Sequence, residues 1–419
     1  MRIPDGIHYY PAGARMPSDL ENRLQEYAYR YGDTYASYLV TDDGWETVWS
    51  RSGRGVLRFA RWGGCYAMVV GGLLAPPEER EDLLAGFLDL AKRNRWHVAF
   101  CNVDREKLPL FRRHEFQVTK FGEDPVVRLD KTTWEGKDYE WVRRQENFCK
   151  RQGVRFLEVD PNPNDPQYRR EIAPELEAIS REHIATTLHG RELRYFVGRF
   201  QADRLGRRRL FLAKRDSRIE AFVVCNPCLD GAMWAVETYR RRADATRGVM
   251  PAAILQAMRA MKQEGVAYCS LSLIPMVRCE TAVTGDSGIA RSAFVFWWRR
   301  LNWIFDFHGI YHFKIRFRPE YREMYLVARP QVTVLSMIAL GMGWGLFNFN
   351  PLRLAGRALT KSQKSESRKS LAEPEYRPER ILRRFVRAAS PKNGRRPRPA
   401  PENNEALAGE PPDRTPVKT

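Results

Sequence analysis

Glu237-Thr238-Tyr239-Arg240-Arg241-Arg242 sets one carboxylate at the head of a run of guanidiniums. One acid with several Arg side chains can position a zwitterionic or phosphate-bearing substrate. The run follows a strand-like stretch, 232–237, and precedes a helix-like one, 251–264. In an α/β fold that junction is the edge where ligands bind. The plainer reading is a solvated turn with surface ion pairs. A second pattern, His312-Phe313-Lys314-Ile315-Arg316-Phe317-Arg318-Pro319, alternates apolar with basic residues. As a strand it would present Lys314, Arg316 and Arg318 on one face, a match for an amphiphilic anion such as a phospholipid head group. The plainer reading there is an edge strand protected by charge.

Other motifs are weaker. Cys225-Asn-Pro-Cys228 is a CxxC, but no second ligand pair at comparable spacing completes a zinc site, so structural cysteines are expected. His308 and His312 are four apart without the carboxylate of a metalloprotease helix, and His183 and His189 do not share a helical face. Gly341, Gly343 and Gly345 form a GxGxG inside an apolar stretch, which points to close helix packing and not to a dinucleotide loop.

The elements that must position these residues follow from periodicity. Residues 17–31 read as a helix with Ser18 as N-cap, and 76–95 as a helix with Leu83, Leu84, Phe87, Leu88 and Leu90 at helical spacing. Strand-like runs occur at 36–41, 55–60, 66–71, 98–103, 117–121 and 126–129. Residues 138–152 form a strongly basic helix ended by Gly153. A helix at 174–188, a hairpin of 210–214 with 219–225, a strand, a helix and a buried strand at 267–273 then repeat the same order. The fold class is α/β (α+β), with two tandem units.

The 419 residues are 43% hydrophobic, ample for a large core and incompatible with wholesale disorder. The net charge is +19, of which the last 59 residues hold only +7, so the folded body is itself basic. Such a balance favours polyanionic partners, nucleic acid or an anionic membrane surface. Seven cysteines, mostly scattered singly, speak against a disulfide framework. The first residues lack an apolar signal-peptide core. Residues 294–313 hold nine aromatics around Arg299 and Arg300, and Trp297, Trp298 and Trp303 fit an interfacial belt. Residues 332–349 carry no charge over 18 positions, a shallow or re-entrant membrane anchor at about 27 Å if helical. Residues 378–389 alternate Ile and Leu with Arg as a short basic amphipathic helix, which would add attraction to anionic lipid.

Several segments, in order, resemble one family. They are Lys120-Phe121-Gly122-Glu123-Asp124, Gly136-Lys137 with Val142-Arg143-Arg144 and Asn147, and Arg194-Tyr195-Phe196-Val197-Gly198-Arg199-Phe200. Glu237-Thr238-Tyr239-Arg240, Ser270-Leu271-Ser272-Leu273, His312 to Pro319 and Tyr325-Leu326 complete the set. Over roughly residues 30–330 the chain resembles the C-terminal catalytic region of bacterial phosphatidylglycerol lysyltransferases and alanyl-phosphatidylglycerol synthases. The family's usual Asp-Leu-Met-Arg stands here as Glu237-Thr238-Tyr239-Arg240, with acid and Arg at the same spacing.

The resemblance implies two fused GNAT-type acyltransferase units. It implies transfer of an aminoacyl group from aminoacyl-tRNA to a lipid hydroxyl at the cytoplasmic membrane face, with no metal and no nucleotide cofactor. Glu237, Arg240 and Lys314 are then the expected catalytic residues. Glu237 binds the donor's α-ammonium or acts as general base, while Arg240 and Lys314 hold phosphate or stabilise the oxyanion. Tyr239, Arg316, Lys120, Glu123, Ser270 and Ser272 are expected to bind substrate, and Arg143, Arg144, Lys150 and Arg151 to meet tRNA. The expected organisation is an N-terminal unit at 1–130, a basic connector at 131–165 and a catalytic unit at 166–330. An apolar membrane-associated segment at 331–358 and a disordered basic tail at 359–419 follow. The large multi-helix membrane domain of many relatives does not precede these units in the sequence, so no lipid flipping is expected. The competing readings are a GNAT-type enzyme with another donor or a non-lipid acceptor, and a non-catalytic membrane- or RNA-binding adaptor.

Overall fold

The computed structural model of the chain describes residues 1–187, 192, 198–302, 304 and 306–346. The first half comprises β1 (His8–Tyr10), α1 (Ser18–Tyr31), β2 (Glu46–Trp49), β3 (Val56–Trp62) and β4 (Tyr66–Leu74). It continues through α2 (Arg80–Arg93), β5 (His97–Asp104), α3 (Leu108–Arg113) and β6 (Gln117–Arg128). The second comprises α4 (Glu140–Arg151), β7 (Val154–Val159), α5 (Ala173–Thr186), β8 (Arg209–Arg215), β9 (Arg218–Cys228) and β10 (Met233–Arg241). It continues through α6 (Val249–Gln263), β11 (Tyr268–Ser270), β12 (Ile274–Pro275), α7 (Gly288–Arg300), α8 (Phe307–Lys314), β13 (Glu320–Arg329) and α9 (Val334–Gly343).

Among the described residues all strands join one sheet, in the order β1-β2-β3-β4-β5-β13-β6-β11-β10-β9-β8-β7, with β12 beside β6. The order is nearly symmetric about its centre. β1 to β4 and β7 to β10 are each an antiparallel run, and β4–β5 and β10–β11 are each a parallel pair. The last strand of each half pairs in the other: β13 lies against β5, and β6 against β11. The two exchanged strands pair with each other in the middle. Sheet pairing therefore crosses the sequence position 130, and α4 and β7 pack as members of the second half.

Alternation along the strands separates the cores. On β9, Phe222 and Val224 face the α5 cluster while Val223 and Cys225 face the cluster of α4 and α6. On β4, Met68 and Val70 face α1, α7 and α9 while Val69 faces α2 and α3. The α/β expectation holds, and of the stripe read from α2, Leu83, Leu84, Phe87 and Leu90 are buried and Leu88 is half-buried.

Four local expectations are corrected. Residues 36–41 are not a strand: Ser37–Thr41 is a 3-10 turn, because the Ser37 hydroxyl accepts the Asp33 and Thr34 N–H groups, both at 3.2 Å, and so competes with sheet pairing. Ser18 does not cap α1; Pro17 occupies that place and no side chain caps the helix. The two strands expected at 117–129 are one, β6, because Lys120, Glu123 and Asp124 find buried partners and need no turn. Gly122 is required there, since a Cβ would fall on the Ile274 carbonyl of β12. Residues 312–319 are not a strand: α8 runs to Lys314, a 3-10 turn covers Ile315–Phe317, and Arg318 is left-handed at φ 54°. Asp306 starts that helix by accepting the Gly309 N–H at 3.0 Å, and Phe313 and Phe317, four apart, meet at 5.6 Å in the core.

In the described part of the apolar run, residues 332–346, the helix is the ten-residue α9, begun by a Thr333–Ser336 capping box. No helix among the described residues is long and apolar enough to cross a membrane. Gly343 does serve close packing, but onto the Met68 side chain of β4 and not onto another helix. The expected helix at 378–389, Trp303, and Arg194 to Val197 lie outside the described residues.

Candidate functional site

β10 and β11 are in register only from Met233↔Tyr268 to Ala235↔Ser270. Beyond that point β10 stays on β9 as far as Arg241. The chain after Ser270 instead turns through Ser272, at φ 66°, toward β6, where the Leu271 N–H reaches the Pro125 carbonyl at 2.8 Å. The two strands thus part. A bulge in β10 between Val236 and Thr238 places Glu237 at the parting. The motif expected after the strand lies inside it.

Glu237 is buried, 8% exposed. Its carboxylate accepts the Gly198 N–H at 2.8 Å and the Thr238 hydroxyl. Burial pushes its pKa up, and the nearby Arg208 guanidinium opposes that shift. Arg208 is fixed in turn by Asp42 at 2.8 Å and by Asn226 at 2.9 Å, and Asn226 donates to the Tyr35 carbonyl at 2.9 Å. The Tyr35 hydroxyl accepts from Asn102 at 3.2 Å. Asp42, Tyr35 and Asn102 belong to the first half, so both halves build the wall behind Glu237. None of these residues was legible as site residues, because they come from separate segments with no common spacing.

Lys314 enters from the end of α8. Its Nζ donates to the Ser272 carbonyl at 2.8 Å and the Leu273 carbonyl at 3.2 Å. Burial brings its pKa down to about 7, against the pull of Asp124. Asp124 is wholly buried, and burial pushes its carboxyl up to about 6, opposed by the Ser270 hydroxyl that it accepts and by Arg322 and Lys314. Its Oδ2 has no hydrogen-bond partner among the described residues. Asp124 was passed over in the sequence although it closes the Lys120 to Asp124 motif. Ser270 and Ser272, expected to bind substrate, brace this arrangement: the Ser270 hydroxyl accepts the Ser272 N–H at 2.9 Å, and the Ser272 hydroxyl donates to the Val236 carbonyl at 2.6 Å. Lys314 and Glu237 are thus joined through Ser272 and Val236.

Arg240 does not pair with Glu237. It donates to Ser180 and Glu192 and lies over the Phe200 ring at 5.3 Å. Glu192 also accepts the Phe200 N–H at 3.1 Å, so Arg240 positions the backbone that carries Gly198. Tyr239 leaves β10 by the opposite face and stacks on Phe313 at 6.0 Å, and burial raises its hydroxyl to about 12. Lys314, Arg316 and Arg318 do not share a face, because the segment is helical: Arg316 lies over Trp141 at 5.2 Å and Arg318 pairs with Asp138 at 3.1 Å.

Lys120 and Glu123 form a second charged cluster. Lys120 pairs with Glu123 at 2.8 Å and Glu323 at 3.1 Å, and Arg278 pairs with Glu123 at 2.9 Å. On α4, Arg143 donates to the Trp134 carbonyl at 2.7 Å and Lys150 neutralises buried Glu146. Arg144, paired with Glu140 at 2.7 Å, and Arg151 face solvent. Cys225 and Cys228 are buried free thiols whose pKa burial raises well above the usual range. No group of three metal-ligating side chains occurs among the described residues.

The buried carboxyl and the buried amine of near-neutral pKa, set where the two strands part, have the makings of acid–base chemistry. Comparison with known proteins adds a direction. Residues 25–328 match the family described as phosphatidylglycerol lysyltransferase, C-terminal. The phosphatidylglycerol lysyltransferase of Bacillus subtilis (strain 168) is 25% identical over 258 residues, 61% of this chain and 29% of that protein. That of Staphylococcus aureus (strain MSSA476) is 20% identical over 322 residues, 77% of this chain and 37% of that protein. This chain therefore spans well under half the length of either. Among solved structures, L-PGS from Bacillus licheniformis superposes with a TM-score of 0.63 at 22% identity, covering 78% of this chain and 95% of that one. A C-terminal domain assigned to a lysylphosphatidylglycerol synthetase from Agrobacterium fabrum gives 0.63 at 22%, covering 79% and 97%. The two structures share this fold.

Proposed function

The chain belongs to the phosphatidylglycerol lysyltransferase C-terminal family, and from that premise we propose that it transfers an aminoacyl group from aminoacyl-tRNA to the hydroxyl of a phosphatidylglycerol-type lipid at the cytoplasmic membrane face. The observation that carries the reading is the pair of buried ionisable groups, Glu237 and Lys314, at the parting of β10 and β11. The reaction is an ester exchange. The lipid hydroxyl oxygen bonds to the aminoacyl carbonyl carbon, and the bond from that carbon to the tRNA terminal ribose oxygen breaks. The proton leaves the attacking hydroxyl and ends on the departing ribose oxygen.

Glu237 receives the donor's α-ammonium, a charge-assisted contact that fixes the carbonyl. As a neutral amine, Lys314 spends its two N–H donors on the Ser272 and Leu273 carbonyls, so its lone pair is left to take the hydroxyl proton. Arg240 is a positioning residue: it holds Glu192, which accepts the Phe200 N–H, close in sequence to the Gly198 N–H that donates to Glu237. The test is lipid extraction from cells expressing the chain or its Glu237→Ala variant, read by mass spectrometry. The expected result is a lipid heavier by one aminoacyl residue, absent with the variant. An unchanged lipid profile at good expression would overturn the reading.

The exposed side of α4 is the surface proposed to meet the tRNA backbone. Arg144→Glu with Arg151→Glu is expected to weaken binding of tRNA and to flatten its salt dependence by about two phosphate contacts, a slope change of roughly 1.4–1.8 in log K against log salt. Filter binding across a salt series measures it, and an unchanged slope removes α4 from the interface.

A further inference from the structure

We propose that α7 and α9 together form the face with which this protein lies on an anionic phospholipid bilayer. The proposal rests on the reading of a lipid acceptor. Of the ten large hydrophobic side chains exposed among the described residues, five stand on these two helices: Ile289 and Phe296 on α7, and Val334, Leu335 and Ile338 on α9. The helices touch one another. Ile289 and Phe296 are seven apart on one stripe, and Arg300 follows four residues on. The inward sides, Phe294 and Trp297 on α7 and Ala339 and Leu340 on α9, already fill the core, so the outward apolar side chains do nothing for folding.

Charge selects the occupant. Neither helix carries an acidic residue, and of the cations on α7, Arg291 is paired with Asp286 at 2.8 Å, which leaves Arg299 and Arg300 at the helix end. Arg299 keeps only a 3.5 Å contact to Glu280, and Arg300 is exposed. An apolar patch edged by cations and free of acids complements a bilayer with anionic head groups. Ten residues give α9 about 15 Å of length, half of a ~30 Å hydrocarbon core, so it lies in the interface and does not span. Of the indoles expected at the interface, Trp297 is in the core and Trp298 lies tilted against His308 at 4.4 Å, while Trp303 is outside the described residues. Phe296 and the aliphatic side chains of α9 take that place. Six residues separate α7 from α8, whose last residue is Lys314, which puts the docking face and the site amine on one chain segment.

The experiment uses the full chain, with vesicles of phosphatidylcholine alone or mixed with phosphatidylglycerol. Flotation should recover wild type with the mixed vesicles and not with the neutral ones. Leu335→Glu with Ile338→Glu should reduce that partition by about tenfold or more, since two aliphatic side chains no longer leave water. Because other basic segments also attract anionic lipid, hydrogen exchange is read alongside: vesicles should protect amides in α7 and α9 of the wild type. Protection confined elsewhere, equal partition of the double variant, or equal recovery on neutral vesicles would overturn the proposal. The double variant should still act on detergent-dispersed phosphatidylglycerol. Wild type that docks through α7 and α9 but aminoacylates no lipid would sink the enzymatic reading and leave the docking face standing.

Discussion

Lys314→Met is expected to lower kcat for aminoacyl transfer by about 10²–10⁴-fold, the usual cost of removing a general base. The substitution keeps the length and the apolar stem of a side chain that is buried throughout. It removes a donor from the Ser272 and Leu273 carbonyls, at a cost of about 1–3 kcal/mol for each group left unsatisfied. It also removes a charge that burial disfavours, so the fold should survive. The pH profile separates this role from an oxyanion-binding ammonium. With its pKa brought down to about 7 by burial, Lys314 as a base gives a kcat/KM that rises with pH through an inflection near 7. A falling limb there would assign the ammonium form.

Stability carries the same signature. A Lys whose folded pKa is depressed binds fewer protons folded than unfolded, so its contribution to stability is present above its unfolded pKa and is lost as pH falls toward 7. Asp124, raised to about 6, has the opposite sign: its contribution is present below its unfolded pKa and is lost as pH rises through 6. Thermal melts of Lys314→Met should therefore lose the rise in stability between about pH 7 and 10 that the wild type shows.

Glu237→Gln is expected to reduce kcat/KM for the aminoacyl-tRNA by roughly 10²–10³-fold, the scale of about 3–4 kcal/mol for a buried contact to a charged group that loses its counter-charge. Gln retains the acceptor oxygen for the Gly198 N–H, so the bulge and the 198–200 backbone stay in place. What goes is the negative charge beside Arg208, the charge proposed to receive the α-ammonium. N-acetylation of the donor should cost the wild type a similar factor and the variant little more. A variant with full activity, or one equally sensitive to N-acetylation, would rule out the ammonium contact. Because burial raises the pKa of Glu237, wild-type kcat/KM should fall on the acid side more steeply than Lys314 alone would make it, and in Glu237→Gln only the Lys314 limb should remain.

Much of this was legible in the sequence where the signal is local. The helical stripe of α2, the hairpin of β8 and β9 about Asp216 and Ser217, and Gly153 after α4, at φ 78°, are each written in a few neighbouring residues. Glu237 and Lys314 stood out as chemical types in two motifs, and both reach the same parting of strands. What could not be read was direction. Alternation at 312–319 fits a strand and a helix equally until Asp306 and the Phe313–Phe317 contact choose the helix. The Glu237 to Arg240 spacing promised one joint site, yet the bulge sends the two side chains to different partners.

The sequence by itself determined the α/β class, the order of elements in two similar halves, the basic body and the residue types at the site, because each depends on periodicity and composition. Only the tertiary structure decided that β6 and β13 trade halves, that Asp42, Tyr35 and Asn102 back a carboxylate 135 to 202 positions away, and that α9 is a short capped helix with one face outward. The physical reason is that strand partners and buried polar groups are chosen by which surfaces can be satisfied together, and that choice links residues with no shared spacing.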